Sequence, residues 1–193
     1  MATHQKGPAE RRYHKIAVAL WSGREFRALS ERAKLLYLRL AVGPETTPIP
    51  GIARLSRSGL ALDELRWGLA EFDARLAELQ QAGLAEVDLD AGLVVLPREL
   101  AEPFSMPNGL PSVGSWRRGA ANLPDCELRD QVKERVIALL ATRGPRWVAT
   151  FCTPGDDGGD GGGGCAGVFP AGAGEGLREG ARDAGCGMRD AGP

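Results

Sequence analysis

Residues 56–97, SRSGLALDELRWGLAEFDARLAELQQAGLAEVDLDAGLVVLP, decide the fold. Within them Leu69, Phe72, Leu76 and Leu79 recur at helical spacing, and Gly83 stands where a left-handed residue closes a helix, so residues 69–82 are expected to form an amphipathic helix. Residues 56–65 predict a shorter helix, which Gly59 weakens by roughly 1 kcal/mol relative to alanine. Arg66-Trp67-Gly68 breaks the chain between the two helices. Two short apolar runs follow, 84–88 and 93–97, joined by Leu89, Asp90, Ala91 and Gly92, residue types that favour a tight turn. They predict a β-hairpin.

Moving upstream, Ser30 is placed to cap a helix rich in Leu35, Leu36, Leu38 and Leu40, apolar over most of its circumference and so expected in the middle of a core. That helix stops at Gly43-Pro44, and the prolines between Thr46 and Gly51 demand an extended loop. Before it, residues 13–21 alternate, with Ile16, Val18 and Leu20 on one side, and predict a first strand. Downstream, Pro103 to Gly114 reads as a surface connector, with a short helix around residues 113–121. Asp125 is placed to cap a last amphipathic helix carrying Leu128, Val132, Val136, Leu139 and Leu140 and ending at Gly144-Pro145. The expected class is mainly α with a small β-hairpin. Helix, helix, helix and hairpin is the order of a winged helix-turn-helix, whose second turn helix docks on DNA while the hairpin touches the backbone.

Composition sets the outer bounds. A chain of 193 residues, 43% hydrophobic and 25% charged, has room for one ordinary domain and a spare segment. No apolar run is long enough to cross a bilayer, and the polar N-terminus lacks the apolar core of a secretory signal, so a cytoplasmic setting is expected. The charge is uneven: residues 1–150 sum to +3 and residues 151–193 to −4, while the first 40 residues alone reach +6. The expected organisation is a basic arm over residues 1–11, a winged-helix domain with a helical extension over 12–142, and a glycine-rich disordered tail over 143–193. Residues 151–193 hold 15 of the 27 glycines and three of the four cysteines, a composition that fits either an acidic linker or an out-of-frame reading of GC-rich codons.

A set of spaced motifs narrows the class. Trp21, Phe26, Leu29 and Ser30, the loop Gly43 to Gly51, Arg66-Trp67 with Phe72, and Val94-Val95 before Pro97 resemble the N-terminal winged-helix domain of phage and prophage replication-associated proteins, of the replisome-organiser or replication-initiator type. Asn108, Val113, Ser115-Trp116 and the run Leu123 to Cys126 are similar to the segment that follows the wing in that family. The resemblance spans about residues 12–140. It implies binding to origin duplex DNA and recruitment of a host helicase or helicase loader, with no chemistry of the protein's own.

Enzymatic and metal-binding alternatives find little support. His4 and His14 both lie near the N-terminus, which leaves no Ser-His-Asp or Cys-His arrangement, and neither a nucleophile elbow nor a phosphate loop is present. Asp88, Asp90 and Glu99 occupy positions 1, 3 and 12 of a calcium loop, but Gly92 and Leu93 stand at the fifth and sixth. Cys126, Cys152, Cys165 and Cys186 form no CxxC pair. No cofactor, metal or membrane partner is expected.

The expected DNA-binding residues are Arg11, Arg12, Lys15, Arg54, Arg57, Arg66, Arg75, Gln80 and Gln81. One feature opposes them: the polar side of the 69–82 helix also carries Glu71, Asp73 and Glu78, a net negative face. An acidic helix of this kind favours a winged-helix protein-interaction module without DNA binding, and the same fold would suit a transcriptional regulator. Trp21, Trp67 and Trp116 are expected to seal core edges rather than to stack on bases.

Overall fold

The computed structural model describes residues 15–102 and 105–153. The expected first strand is instead helical. Residues 15–18 lead into α1 (Ala19–Ser22), and after Gly23 the chain forms α2 (Arg24–Ala28). Ala17 and Leu20 are buried while Val18 is 82% exposed, a spacing of three that belongs to a helical turn and not to a strand.

Helix α3 (Glu31–Val42) starts where Ser30 predicts, its hydroxyl accepting the Ala33 N–H at 3.3 Å. It is less enclosed than its leucines suggest. Leu36, Tyr37 and Leu40 are buried, whereas Leu35 is 51% exposed, so the helix lies at the side of the core and keeps a solvent face. The proline loop folds back as expected, the Thr47 N–H meeting the Ile52 carbonyl at 2.8 Å, and delivers β1 (Ile52–Arg54), a strand the sequence did not reveal. Gly51 sits at φ +74°, and a Cβ there would lie 2.7 Å from the Leu96 carbonyl oxygen. Only glycine lets these backbones approach.

Residues 57–64 form the expected short helix, wound as a π-helix over Gly59–Glu64, with the Leu65 N–H reaching back five residues to Leu60. The break at residues 66–68 precedes α4 (Leu69–Gln81), which buries Phe72, Leu76 and Leu79. Its end is a Schellman motif: Gly83 at φ +67° bonds to Gln80, and Leu84 bonds to Leu79. The hairpin follows as β2 (Glu86–Asp88) and β3 (Leu93–Val95), and the Asp88 carboxylate accepts the Ala91 N–H at 2.8 Å inside the turn.

The sheet is antiparallel with order β1-β3-β2, pairing Ala53 with Val94 and Val87 with Val94. Ala53, Val87 and Val94 therefore face one side, against the core of Leu20, Phe26, Leu36, Leu40 and Phe72. Ile52, Leu93 and Val95 face the other. A strand covered on both faces reads as an unbroken apolar run, which is why Leu93 to Leu96 shows no alternation. A three-helix core with a β-hairpin wing whose last strand also pairs with an earlier strand is a winged helix-turn-helix fold.

The second face of the sheet is covered from the C-terminal side, where three expectations change. Pro97 does not end a strand but opens α5 (Pro97–Ala101), as proline does at a first helical position. The connector is shorter than expected, because α6 (Leu110–Ala121) begins inside it. Cys126, not Asp125, stands at the N-cap of α7 (Glu127–Ala141), and Asp125 instead pairs with Arg129 at 2.5 Å. Helix α7 packs on β3, and Arg135 reaches Glu86 of β2 at 2.7 Å. The expected boundary at residue 143 also moves. Pro145–Cys152 forms α8, which buries Val148 and Phe151 against α6 and α7, so this part of the expected tail belongs to the folded body. The remainder of that tail, from residue 154, lies outside the described residues, as do Arg11, Arg12, His4 and His14.

Among the described residues no helix is long and apolar enough to cross a membrane.

Candidate nucleic-acid interface

In a winged helix-turn-helix the residues 57–64 helix and α4 form the two arms of the turn, and α4 is the arm placed for a groove. Its outermost positions are Ala70, Ala74 and Gln81, with Ala77 half-buried beside them. The spacing of four, three and four puts these residues on one stripe. Small side chains there let a groove approach closely, and alanine suits contact with a thymine methyl group.

The three carboxylates that make this helix acidic are each held by an arginine. Arg32 of α3 pairs with Glu71, and its guanidinium also lies 5.7 Å from the Trp67 ring centre. Arg57 forms a two-pronged pair with Asp73, with Nε to Oδ1 at 2.6 Å. The interaction holds the Asp73 carboxyl below its ordinary range, chiefly through the hydrogen bond from Arg57. Arg75 donates to Glu78 at 2.9 Å and to the Ser30 hydroxyl at 3.2 Å. Glu78 is the most heavily engaged of the three. It accepts the Ser30 N–H at 2.5 Å and the Ser30 hydroxyl at 2.8 Å, and these bonds, the backbone one foremost, hold its carboxyl below the ordinary range. Pairing cancels the negative face that the bare sequence shows.

The same pairing sorts the expected DNA-binding residues. Arg57 is exposed but engaged with Asp73. Arg75 is turned inward, its Nε buried without a hydrogen-bond partner, and serves the junction between α3 and α4 rather than the groove side. Gln80 and Gln81 are exposed at the C-terminal end of α4. Arg66 is exposed in the turn just before α4, held at φ +55°, a conformation that non-glycine residues rarely take. Arg54 is exposed as well, but the strand register puts it on the Ile52 side of the sheet, away from the turn helices. Lys15 is exposed at the start of the described chain. Arg66, Arg57, Gln80 and Gln81 therefore share the α4 surface, and Arg54 and Lys15 do not. Sequence reasoning missed Arg32, whose contribution appears only when α3 and α4 are packed together.

The wing is the least suited part for a phosphate backbone. Residues 84–96 contain no lysine or arginine, and they carry Glu86, Asp88 and Asp90, with Leu89 54% exposed at the tip.

Behind the turn helices lies a buried polar pair. The Tyr37 hydroxyl donates to Glu99 Oε1 at 2.9 Å, and Glu99 is only 4% exposed. Burial pushes the Glu99 carboxyl above its ordinary range, with Tyr37 opposing the shift, and pushes the Tyr37 hydroxyl up as well. Glu99 borders a cavity of about 390 Å³ shared with Ser105, Asn108, Ser112 and Ser115.

The fold thus defines the class, a winged helix-turn-helix body with a three-helix C-terminal cover. Comparison with protein-family models, with curated proteins and with solved structures returns no match for this chain.

Proposed function

We propose that this chain is a DNA-binding winged-helix protein of phage type that acts in replication initiation and holds duplex DNA against α4 and the turn that precedes it. The observation that carries the proposal is the neutralised face of α4. With Glu71, Asp73 and Glu78 each held by arginine, the helix offers a groove an uncharged stripe of Ala70, Ala74, Ala77 and Gln81, flanked by Gln80 and by the cation of Arg66. Base contacts fall to Gln80 and Gln81, the side chains able to pair with adenine edges, and phosphate contacts to Arg66 and Arg57. The basic arm, Arg11, Arg12 and Lys15, adds affinity without specificity. The replication role rests on the resemblance of residues 12–140 to the replication-associated family, and a host helicase or helicase loader is the corresponding protein partner. No chemical step is assigned to the chain.

A winged-helix protein-interaction module is the second reading, favoured by the acidic wing with its exposed Leu89. Duplex binding measured between 50 and 200 mM salt separates the two. A DNA binder loses affinity steeply, with a log–log slope of about −0.9 for each phosphate neutralised. Arg66→Ala should reduce that slope by about one phosphate on any sequence, whereas Gln81→Ala should weaken a preferred site more than random DNA. Absence of salt-dependent duplex binding would leave the interaction module standing.

A further inference from the structure

Tryptophan at the edge of a core is ordinarily covered, and Trp67 and Trp116 follow that rule at 8% and 4% exposed. Trp21 does not. It is 55% exposed on α1, and its neighbour one turn earlier, Val18, projects still further. The Trp21 ring is nonetheless fixed in place: it meets Phe26 edge-to-face at 5.4 Å and 88°, and Phe26 in turn meets Tyr37 at 5.5 Å inside the core. An aromatic ring braced on one edge and open on the rest is presented without the entropy loss that a mobile side chain would suffer on binding.

The charges around it point to one kind of occupant. Helix α2, which packs against α1, carries Arg24 and Arg27, both exposed and neither with an ion-pair partner among the described residues, whereas Lys15 borders the Glu99 cavity. By contrast Arg32 and Arg39 of α3, Arg57 before the turn and Arg75 of α4 are each bound to a carboxylate, while Arg66 shares the open state of Arg24 and Arg27. Glu25 is the one carboxylate carried by residues 15–28. Arg24 also borders a groove of roughly 500 Å³ that runs against the end of α4, where Gln81 and Glu78 line it.

We propose that Trp21, with Arg24 and Arg27, is a docking surface for single-stranded nucleic acid, the indole stacking on a base and the two cations following the backbone. An apolar protein partner would use Val18 and Trp21 but has no use for two unpaired arginines, whereas a single strand uses both. Base–aromatic stacking is tolerant of sequence because every base offers a π-face. The surface adjoins the α4 face at Gln81, but the inference does not depend on duplex binding there. Where both hold, the shared groove at Arg24 and Gln81 would let a melted strand leave the duplex beside α4 and reach Trp21.

The test is binding of the full chain to a fluorescent 20-mer of deoxythymidine and, in parallel, to a random duplex, for wild type, Trp21→Ala, Trp21→Phe and the double variant Arg24→Ala/Arg27→Ala. Trp21→Ala should weaken the single strand by about 10-fold or more, the loss expected of one stacked base, while Trp21→Phe stays within about threefold. The double variant should flatten the single-strand salt slope by about 1.4, at roughly 0.7 per phosphate. Duplex affinity should not change in Trp21→Ala. Loss of duplex binding alone, with the thymidine oligomer still bound through Trp21, would overturn the α4 proposal and support this one. Failure of the wild-type chain to bind the oligomer, or equal binding by wild type and Trp21→Ala, would overturn it. So would parallel loss of single-strand and duplex binding in Trp21→Phe, which would make the ring merely structural.

Discussion

Replacing Glu78 by glutamine removes a charge at the one point where α3, α4 and the cap between them meet. Three donors converge on this carboxylate: the Ser30 N–H at 2.5 Å, the Ser30 hydroxyl at 2.8 Å and the Arg75 guanidinium at 2.9 Å. A glutamine side chain offers one acceptor oxygen and turns an NH2 group toward the other donors. Each hydrogen bond to a charged group contributes about 1.5–3 kcal/mol when sheltered. The Glu78 side chain keeps 27% of its exposure, so solvent offsets part of that sum, and a net loss of about 2 kcal/mol is expected. With an unfolding entropy near 2.1 cal/mol/K per residue, a body of about 140 residues loses roughly 7 °C in Tm.

The pH dependence gives the sharper check. Glu78 has its carboxyl lowered in the folded state, so its contribution is present above the ordinary glutamate range near pH 4.3 and disappears as the pH falls through the lower folded value. Thermal melts followed by circular dichroism should therefore show wild type and Glu78→Gln far apart at pH 7 and converging toward pH 3. A Tm difference below about 2 °C at pH 7, or a gap that persists undiminished at pH 3, would refute the assignment. Arg75→Ala should be strongly non-additive with Glu78→Gln in a double-mutant cycle, because both act on one network.

Glu99 has the opposite linkage sign. Its carboxyl is raised by burial, so its contribution is complete below the ordinary carboxylate range and is lost as the pH climbs through the raised value; Glu99→Gln, which still accepts from Tyr37, should match wild type near pH 4 and exceed it by on the order of 1 kcal/mol at pH 8 in urea titrations. Gly51→Ala should cost about 3 kcal/mol, since alanine pays for the left-handed conformation and its Cβ would crowd Leu96 and Leu100, whereas Gly68→Ala, with open space around it and an ordinary φ, should cost only the roughly 1 kcal/mol by which alanine is the poorer N-cap of α4, in the same titrations. Ending the chain after Gly144 rather than after Thr153 should lower stability by about 3 kcal/mol through loss of Val148 and Phe151, read as a shift in the denaturation midpoint.

The turn helices and the wing were legible because their signals are local. Apolar residues three and four apart mark α4, Gly83 marks its end and the turn residues mark the hairpin, and these need no knowledge of distant contacts. The first strand failed because Ile16, Val18 and Leu20 alternate in a stretch too short to exclude a helical turn, and burial of Ala17 rather than Val18 decided the matter. Strand β1 went unseen because three residues after a proline loop carry no period. Helix α8 was hidden by the glycine-rich sequence beyond it, although Trp147, Val148 and Phe151 are apolar. For the interface, the sequence supplied the charges but not their pairing. Glu71, Asp73 and Glu78 read as an acidic face until Arg32, Arg57 and Arg75 are set beside them, and two of those three arginines were themselves expected to face DNA.

The sheet order places the strand made last in the middle. During synthesis α3 is made first, β1 then emerges with only the loop at residues 45–47 to bond to, the 57–64 helix and α4 follow, and β2 comes next with its edge also open. Only when Val94 and Val95 leave the ribosome can either strand complete its pairing in the sheet, and one strand then serves both at once. Until that moment the turn helices have nothing to lean on from the sheet side. The winged-helix part is therefore expected to close in a single cooperative step when Leu93 to Leu96 appears, before α6 to α8 are made, and a ribosome stalled before that run would hold a chain whose α4 is formed in outline but not yet fixed in place.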